Sequence, residues 1–151
     1  MNLKKTVKRR INLNHNKPIN FFFPISFEKL QRIEYQFGLK GFAVVIKLHI
    51  KIIQTNGYYL KYDKDFLNIF SRELYVKSTL ANDIIENAIR QGIFDKYMFD
   101  NYNILTSLEL QKNFLDNVLR RKIVYLVKEY MLLDIYKYIN PNKTQIVFKR
   151  G

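Results

Sequence analysis

Apolar residues recur at helical spacing along most of this chain, and little interrupts them: its 151 residues include only 5 Gly and 3 Pro. So few turn formers argue against a turn-rich sandwich and against a disordered chain. Hydrophobic residues make up 48% and aromatics 15%, which is ample material for one core. The length suits a single domain. The expectation is a compact, mainly α fold.

Local signals divide that fold into elements. Residues 1–18 read as a flexible basic tail ending at Pro18. Ser26 can cap a helix to about Phe37, with Phe27, Leu30, Ile33 and Phe37 on one face and Gly38 as its stop. A second helix, about Leu39–Thr55, is apolar except along a line through Lys40, Lys47, Lys51 and Gln54. His49 lies away from Lys47 and reads as a packed core histidine. Asn56-Gly57 turns the chain into a short strand, Tyr58–Lys61. Asp63 can cap a helix to about Leu74, and Ser78 starts another to about Gln91, closed by Gly92. Two short helices so joined form a helix-turn-helix pattern.

Beyond Gly92, the runs Ile93–Asp95 and Asn103–Thr106 read as strands bracketing Lys96–Tyr102, a hairpin-like wing. Ser107 can cap a long last helix, with Leu110, Phe114, Leu115, Val118 and Leu119 as its stripe, breaking before Asn140-Pro141. Gln145–Lys149 is β-prone, with no place assigned. The fold class expected is mainly α with a small β wing (α+β), a winged helix-turn-helix. Its organisation is a tail (1–18), a winged-helix domain with a C-terminal helix (19–139) and a basic C-terminal segment (140–151).

Charge narrows the partners. The formal net charge is +13, and the excess sits in the two ends and the early helices: residues 1–20 hold six Lys/Arg and no acid, while residues 63–100 hold five against seven. Such a surface attracts polyanions, nucleic acid above all. A membrane surface is the other polyanion, but no long basic amphipathic helix is evident. Ile19–Ile25 is too short and too soon followed by Glu28 and Lys29 for a secretory signal, and Phe42–Ile53 carries Lys47 and Lys51. A soluble, cytoplasmic protein without a membrane partner is expected.

Enzymatic chemistry finds no foothold. With no Cys, and His15 and His49 far apart, neither a disulfide nor a zinc site is expected. There is no Walker A loop, Gly-rich phosphate cradle or His–carboxylate metal spacing. Asp63 and Asp65 at a helix start read as caps and dipole partners, and Asp95 and Asp100 flank the expected wing tip. The expectation is no enzyme, no cofactor, no metal and no small-molecule substrate.

Several short runs of sequence, in order, carry a resemblance: Phe37-Gly38-Leu39-Lys40-Gly41, Asn56-Gly57-Tyr58-Tyr59-Leu60-Lys61, Arg90-Gln91-Gly92-Ile93-Phe94-Asp95, Leu105-Thr106-Ser107, Gln111 and Arg120-Arg121-Lys122. Over about Phe21–Leu133 the chain resembles an N-terminal domain family of bacterial and phage proteins. That family is similar to the winged-helix N-terminal part of DnaD-like and phage replisome-organiser proteins. The resemblance implies a winged helix, a role in replication initiation or its control, and no assigned active site. The chain ends soon after the shared region, so a second helicase-loading or DNA-binding domain is not expected in it.

In a winged helix the second helix of the turn motif enters the major groove. Here Leu80, Ile84 and Ala88 should point inward with Ile85 and Ile89 at the flank, leaving Thr79, Asn82, Asp83, Glu86 and Arg90 outside. Asp83 and Glu86 would meet phosphate unfavourably, and Glu86 can instead pair with Arg90 at i+4. The candidate DNA contacts are Lys8, Arg9 and Arg10 in the tail; Lys77, Thr79, Asn82 and Arg90 on the helix; Lys96; and Arg120, Arg121 and Lys122. Two functions stay open. One is a DNA-binding winged helix; the other is an interaction module pairing with a second copy or a replisome protein.

Overall fold

A computed structural model describes residues 23–151; the tail contacts Lys8, Arg9 and Arg10 lie outside the described residues. Helix α1 runs Phe27–Thr55, its first turn capped by Ser26, whose side chain accepts from Lys29 N. At Gly38 the backbone leaves helical geometry (φ 66°, ψ −160°), so α1 is two arms meeting at the expected stop. A side chain is strained in that region, and Gly supplies it freely. Three residues on, Gly41 sits where an added Cβ would fall 2.6 Å from that of Phe37. The arms close tightly because Gly41 has no side chain.

Strand β1 (Tyr59–Lys61) follows, then α2 (Lys64–Glu73) and α3 (Ser78–Arg90). Asp63 caps α2 by accepting from Phe66 N at 2.7 Å. The second arm of α1 buries Val44, Val45, Leu48, His49 and Ile52, and α3 buries Ala81, Ile84, Ile85, Ala88 and Ile89 against it. Ala81 takes the inner place expected of Leu80, which is only half-buried. Lys51 closes this packing from outside, donating to both Glu73 carboxylate oxygens at 2.6 and 2.8 Å.

His49 is fully buried, stacked on Phe94 at 5.0 Å, with Nδ1 2.9 Å from the Val45 carbonyl. Nε2 has no partner among the described residues. Burial is the main cause that lowers its pKa from 6.5 to about 4; the Val45 carbonyl and, more weakly, Glu109 oppose it. The folded state thus refuses a proton that the unfolded chain accepts below pH 6.5. The contribution is intact above pH 6.5 and is lost as pH falls towards 4. In urea titrations, wild type should lose stability over that interval more steeply than His49→Leu. Parallel pH profiles would contradict this.

The hairpin wing expected between Ile93 and Thr106 does not form. Ile93 and Phe94 are buried in the core instead, and the Asp95 side chain accepts from Met98 N at 2.8 Å. That cap starts a seven-residue helix, α4 (Lys96–Tyr102), which Asn103 ends in the left-handed region at φ 50°. A single strand, β2 (Ile104–Thr106), then pairs antiparallel with β1, Tyr59 opposite Thr106. One backbone hydrogen bond, from Asp95 N to Thr106 O at 2.8 Å, links the two runs read as a hairpin, and no ladder forms between them.

The long last helix is also overturned. Ser107 caps α5, with Leu110 N donating to its hydroxyl, yet α5 ends at Val118 (Leu108–Val118). Beyond Arg120-Arg121-Lys122 the run Ile-Val-Tyr-Leu-Val is β-branched and aromatic, which suits a pleated surface better than a helix. It forms β3 (Ile123–Val127), and Gln145–Lys149 forms β4, paired parallel to it with Ile123 opposite Gln145. Two short 3-10 turns, Lys128–Tyr130 and Ile135–Lys137, lie in the crossover. A second apolar cluster results, in which Tyr58, Ile104, Leu115, Val124, Leu126 and Ile139 meet.

Candidate nucleic-acid interface

The surface that best matches the expected contacts is the start of α3. Leu74–Lys77 links α2 to α3, with Val76 N donating to Ser71 O at 3.0 Å. Tyr75 takes a left-handed conformation (φ 55°), and its side chain is 96% exposed. A bulky residue at positive φ is uncommon, and nothing buried offsets its strain here. Lys77 is the N-cap of α3, makes no side-chain capping bond, and no carboxylate lies in the first turn. The first N–H groups of α3 therefore keep their partial positive charge, beside the exposed Lys77 and Thr79.

Other expected contacts are placed less favourably. Asn82 is half-buried and occupied: Tyr62 Oη donates to its Oδ1 at 2.6 Å, and its Nδ2 donates to Glu86 Oε1 at 2.8 Å. Burial, and then the Glu86 charge, push the Tyr62 hydroxyl up to about 12, so it remains a donor. The expected Glu86–Arg90 pair is thus replaced by Glu86–Asn82, and Asp83 and Glu86 stay exposed. Arg90 is exposed at the far end of α3, about 16 Å from Thr79 along the axis.

Arg90 and Lys96 instead line a cavity of about 400 Å³ with Lys29, Gly92, Asp95 and Glu109. There Lys29 Nζ donates to Gly92 O at 2.7 Å, while Lys96 pairs with Asp100 at 2.5 Å. Arg120, Arg121 and Lys122 are exposed between α5 and β3, over the second cluster. The expected surface is therefore three separate patches. Reasoning from sequence missed Tyr75, because its exposure follows from the turn's geometry and from no local motif. Asp63 acts as a cap, as its position at a helix start suggests, whereas Asp95, read as flanking a wing tip, caps α4 instead. Among the described residues no cluster of three or more His, Asp or Glu is arranged to hold a metal, and no helix is long and apolar enough to cross a membrane.

The class these elements define is a mixed α+β domain, with five α-helices and two two-stranded ladders among the described residues. Residues 23–110 match the family described as Lin1244/Lin1753-like, N-terminal, and the chain belongs to that family. It is similar to the uncharacterized phage-related protein Lin1244/Lin1753 of Listeria innocua serovar 6a, 34% identical over 124 residues. That alignment covers 79% of this chain and 40% of the relative, so the chain spans about two-fifths of the relative's length. No solved structure matches it.

Proposed function

We propose that this chain is a non-enzymatic DNA-binding domain of a phage or mobile element, docking on duplex DNA with the start of α3. The observation that carries the reading is the uncapped, carboxylate-free first turn of α3, flanked by Lys77 and the exposed Tyr75. Such a terminus favours a phosphate. The order α1, β1, α2, α3, α4, β2 supports a winged-helix reading in which α4 stands in place of the wing's hairpin. The resemblance to DnaD-like and replisome-organiser domains favours a task in replication or its control. A relative described as phage-related supports the setting, and a partner of DNA works in the cytoplasm.

The exposed Asp83 and Glu86 favour a second reading, a module that meets a second copy or a replisome protein through the same helix. Anisotropy of a labelled duplex across a salt series separates the two. Binding should be largely non-specific and fall steeply with salt. Lys77→Glu should weaken it by about tenfold at low salt, since a contact is replaced by repulsion. The helix itself should tolerate a carboxylate at that end. Asp83→Asn with Glu86→Gln should tighten binding a few-fold, as suits partly screened charges. No binding at low salt, with assembly weakened by the same double change, would install the second reading.

A further inference from the structure

We infer that the groove beside β3, which no residue of α3 lines, is a binding site for single-stranded nucleic acid. The parallel pair β3–β4 turns Val124 and Leu126 into the second cluster and leaves Tyr125 half-exposed, at 53%. A groove of about 220 Å³ runs beside Tyr125, between β3 and the turn joining α1 to β1. Asn56, Tyr59, Phe114, Arg121, Tyr125 and Lys149 line it, and no carboxylate does. It is smaller than the roughly 300 Å³ at which small-molecule pockets usually begin, so an enclosed ligand is a poor fit. A ring laid against Tyr125 is a good one.

Cations share the groove with that ring. Arg121 enters the groove from the residues before β3, with Arg120 and Lys122 exposed beside it. Lys149 is opposite Val127 in the ladder and reaches back so that Nζ stands 4.6 Å from the centre of the Tyr125 ring. Arg150, also exposed, follows it. An aromatic ring in a groove lined by cations and by no carboxylate is the pattern that binds single strands: bases stack and phosphates pair. A base arriving on Tyr125 takes the ring face that Lys149 covers and frees the ammonium for the adjoining phosphate. A duplex cannot do this, because its bases are already stacked on one another.

The inference stands apart from the α3 reading and can fail without it. The test uses the full chain with oligothymidylate and a duplex of equal length, each labelled, at low salt. Tyr125→Ala leaves the net charge unchanged. It should weaken oligothymidylate binding by about tenfold and leave duplex binding unchanged. Since the chain has no Trp, Tyr125→Trp supplies a single reporter. It should restore affinity, and its emission should be quenched as the strand saturates. Melting curves check that both variants fold. Unchanged affinity for the single strand in Tyr125→Ala, or Trp emission indifferent to saturating oligothymidylate, would overturn the site. An equal loss for duplex and single strand would overturn it too, by assigning the groove to general charge attraction.

Discussion

Ile84→Asp should abolish the cooperative fold. Ile84 lies in the second turn of α3 with no exposed surface, inside the cluster formed with α1 and α2. An aspartate there loses the apolar contacts of the isoleucine and also carries an unpaired carboxylate out of water. Removing the side chain's contacts alone costs about 2–5 kcal/mol, and the buried charge adds to that. A domain of this size is stable by about 5–15 kcal/mol in total, so little or nothing is left. Circular dichroism should show lost helix at room temperature and no sharp melting transition. Ile84→Val is the control and should cost about 1 kcal/mol. A near-normal melting temperature for Ile84→Asp would mean that α3 turns a different face inward, and the surface assigned to DNA would move with it.

The half of the fold built from local signals was legible in the sequence. Gly38 divides α1, Asp63 caps α2, Ser107 caps α5, and the helical spacing of Ile84 and Ala88 turns α3 inward, because each depends on residues about a turn apart. The other half depends on distant partners. Whether Ile104–Thr106 pairs with Ile93–Asp95 or with Tyr59–Lys61 is settled by the Asp95 cap, which bends the nearer segment into α4. Likewise Val118 and Leu119 continue a helical stripe, and the β-prone run Ile123–Val127 finds its pairing only with Gln145–Lys149, arriving in parallel. A parallel partner so far along the chain leaves no local trace. The same division runs through the candidate site. Lys77 and Thr79 are exposed as read, whereas Asn82 is engaged by Tyr62 from a different element. Charge alone marks Arg121 as a backbone contact. Its place beside Tyr125 needed the strand that periodicity concealed.

Gln111→Ala should separate the two halves of the molecule. Gln111 is fully buried on α5, between Leu110 of the first apolar cluster and Leu115 of the second, and its amide bonds towards the second. Nε2 donates to Tyr130 O at 2.8 Å and to Thr106 Oγ1 at 3.2 Å, and Oε1 accepts from Leu132 N at 2.7 Å. Thr106 Oγ1 in turn donates to Tyr58 O at 2.5 Å, and Tyr58 Oη accepts from Val127 N at 2.8 Å. Burial pushes the Tyr58 hydroxyl up to about 12, so this end of the network stays protonated across the working pH range. Alanine removes three bonds and strands the Leu132 N–H and Tyr130 carbonyl without partners, at a cost of about 3 kcal/mol. The loss should fall unevenly. The α1–α3 cluster keeps its own packing, whereas the segment carrying β3 and β4 is fastened through Tyr130, Leu132 and Val127. In hydrogen exchange, amides of Ile123–Val127 should therefore lose protection well before those of Val44–Ile52. Binding of oligothymidylate should weaken with them while duplex binding persists. If both sets of amides lost protection together, the network would be an ordinary part of one cooperative core and not the fastening between a helical half and the groove-bearing half.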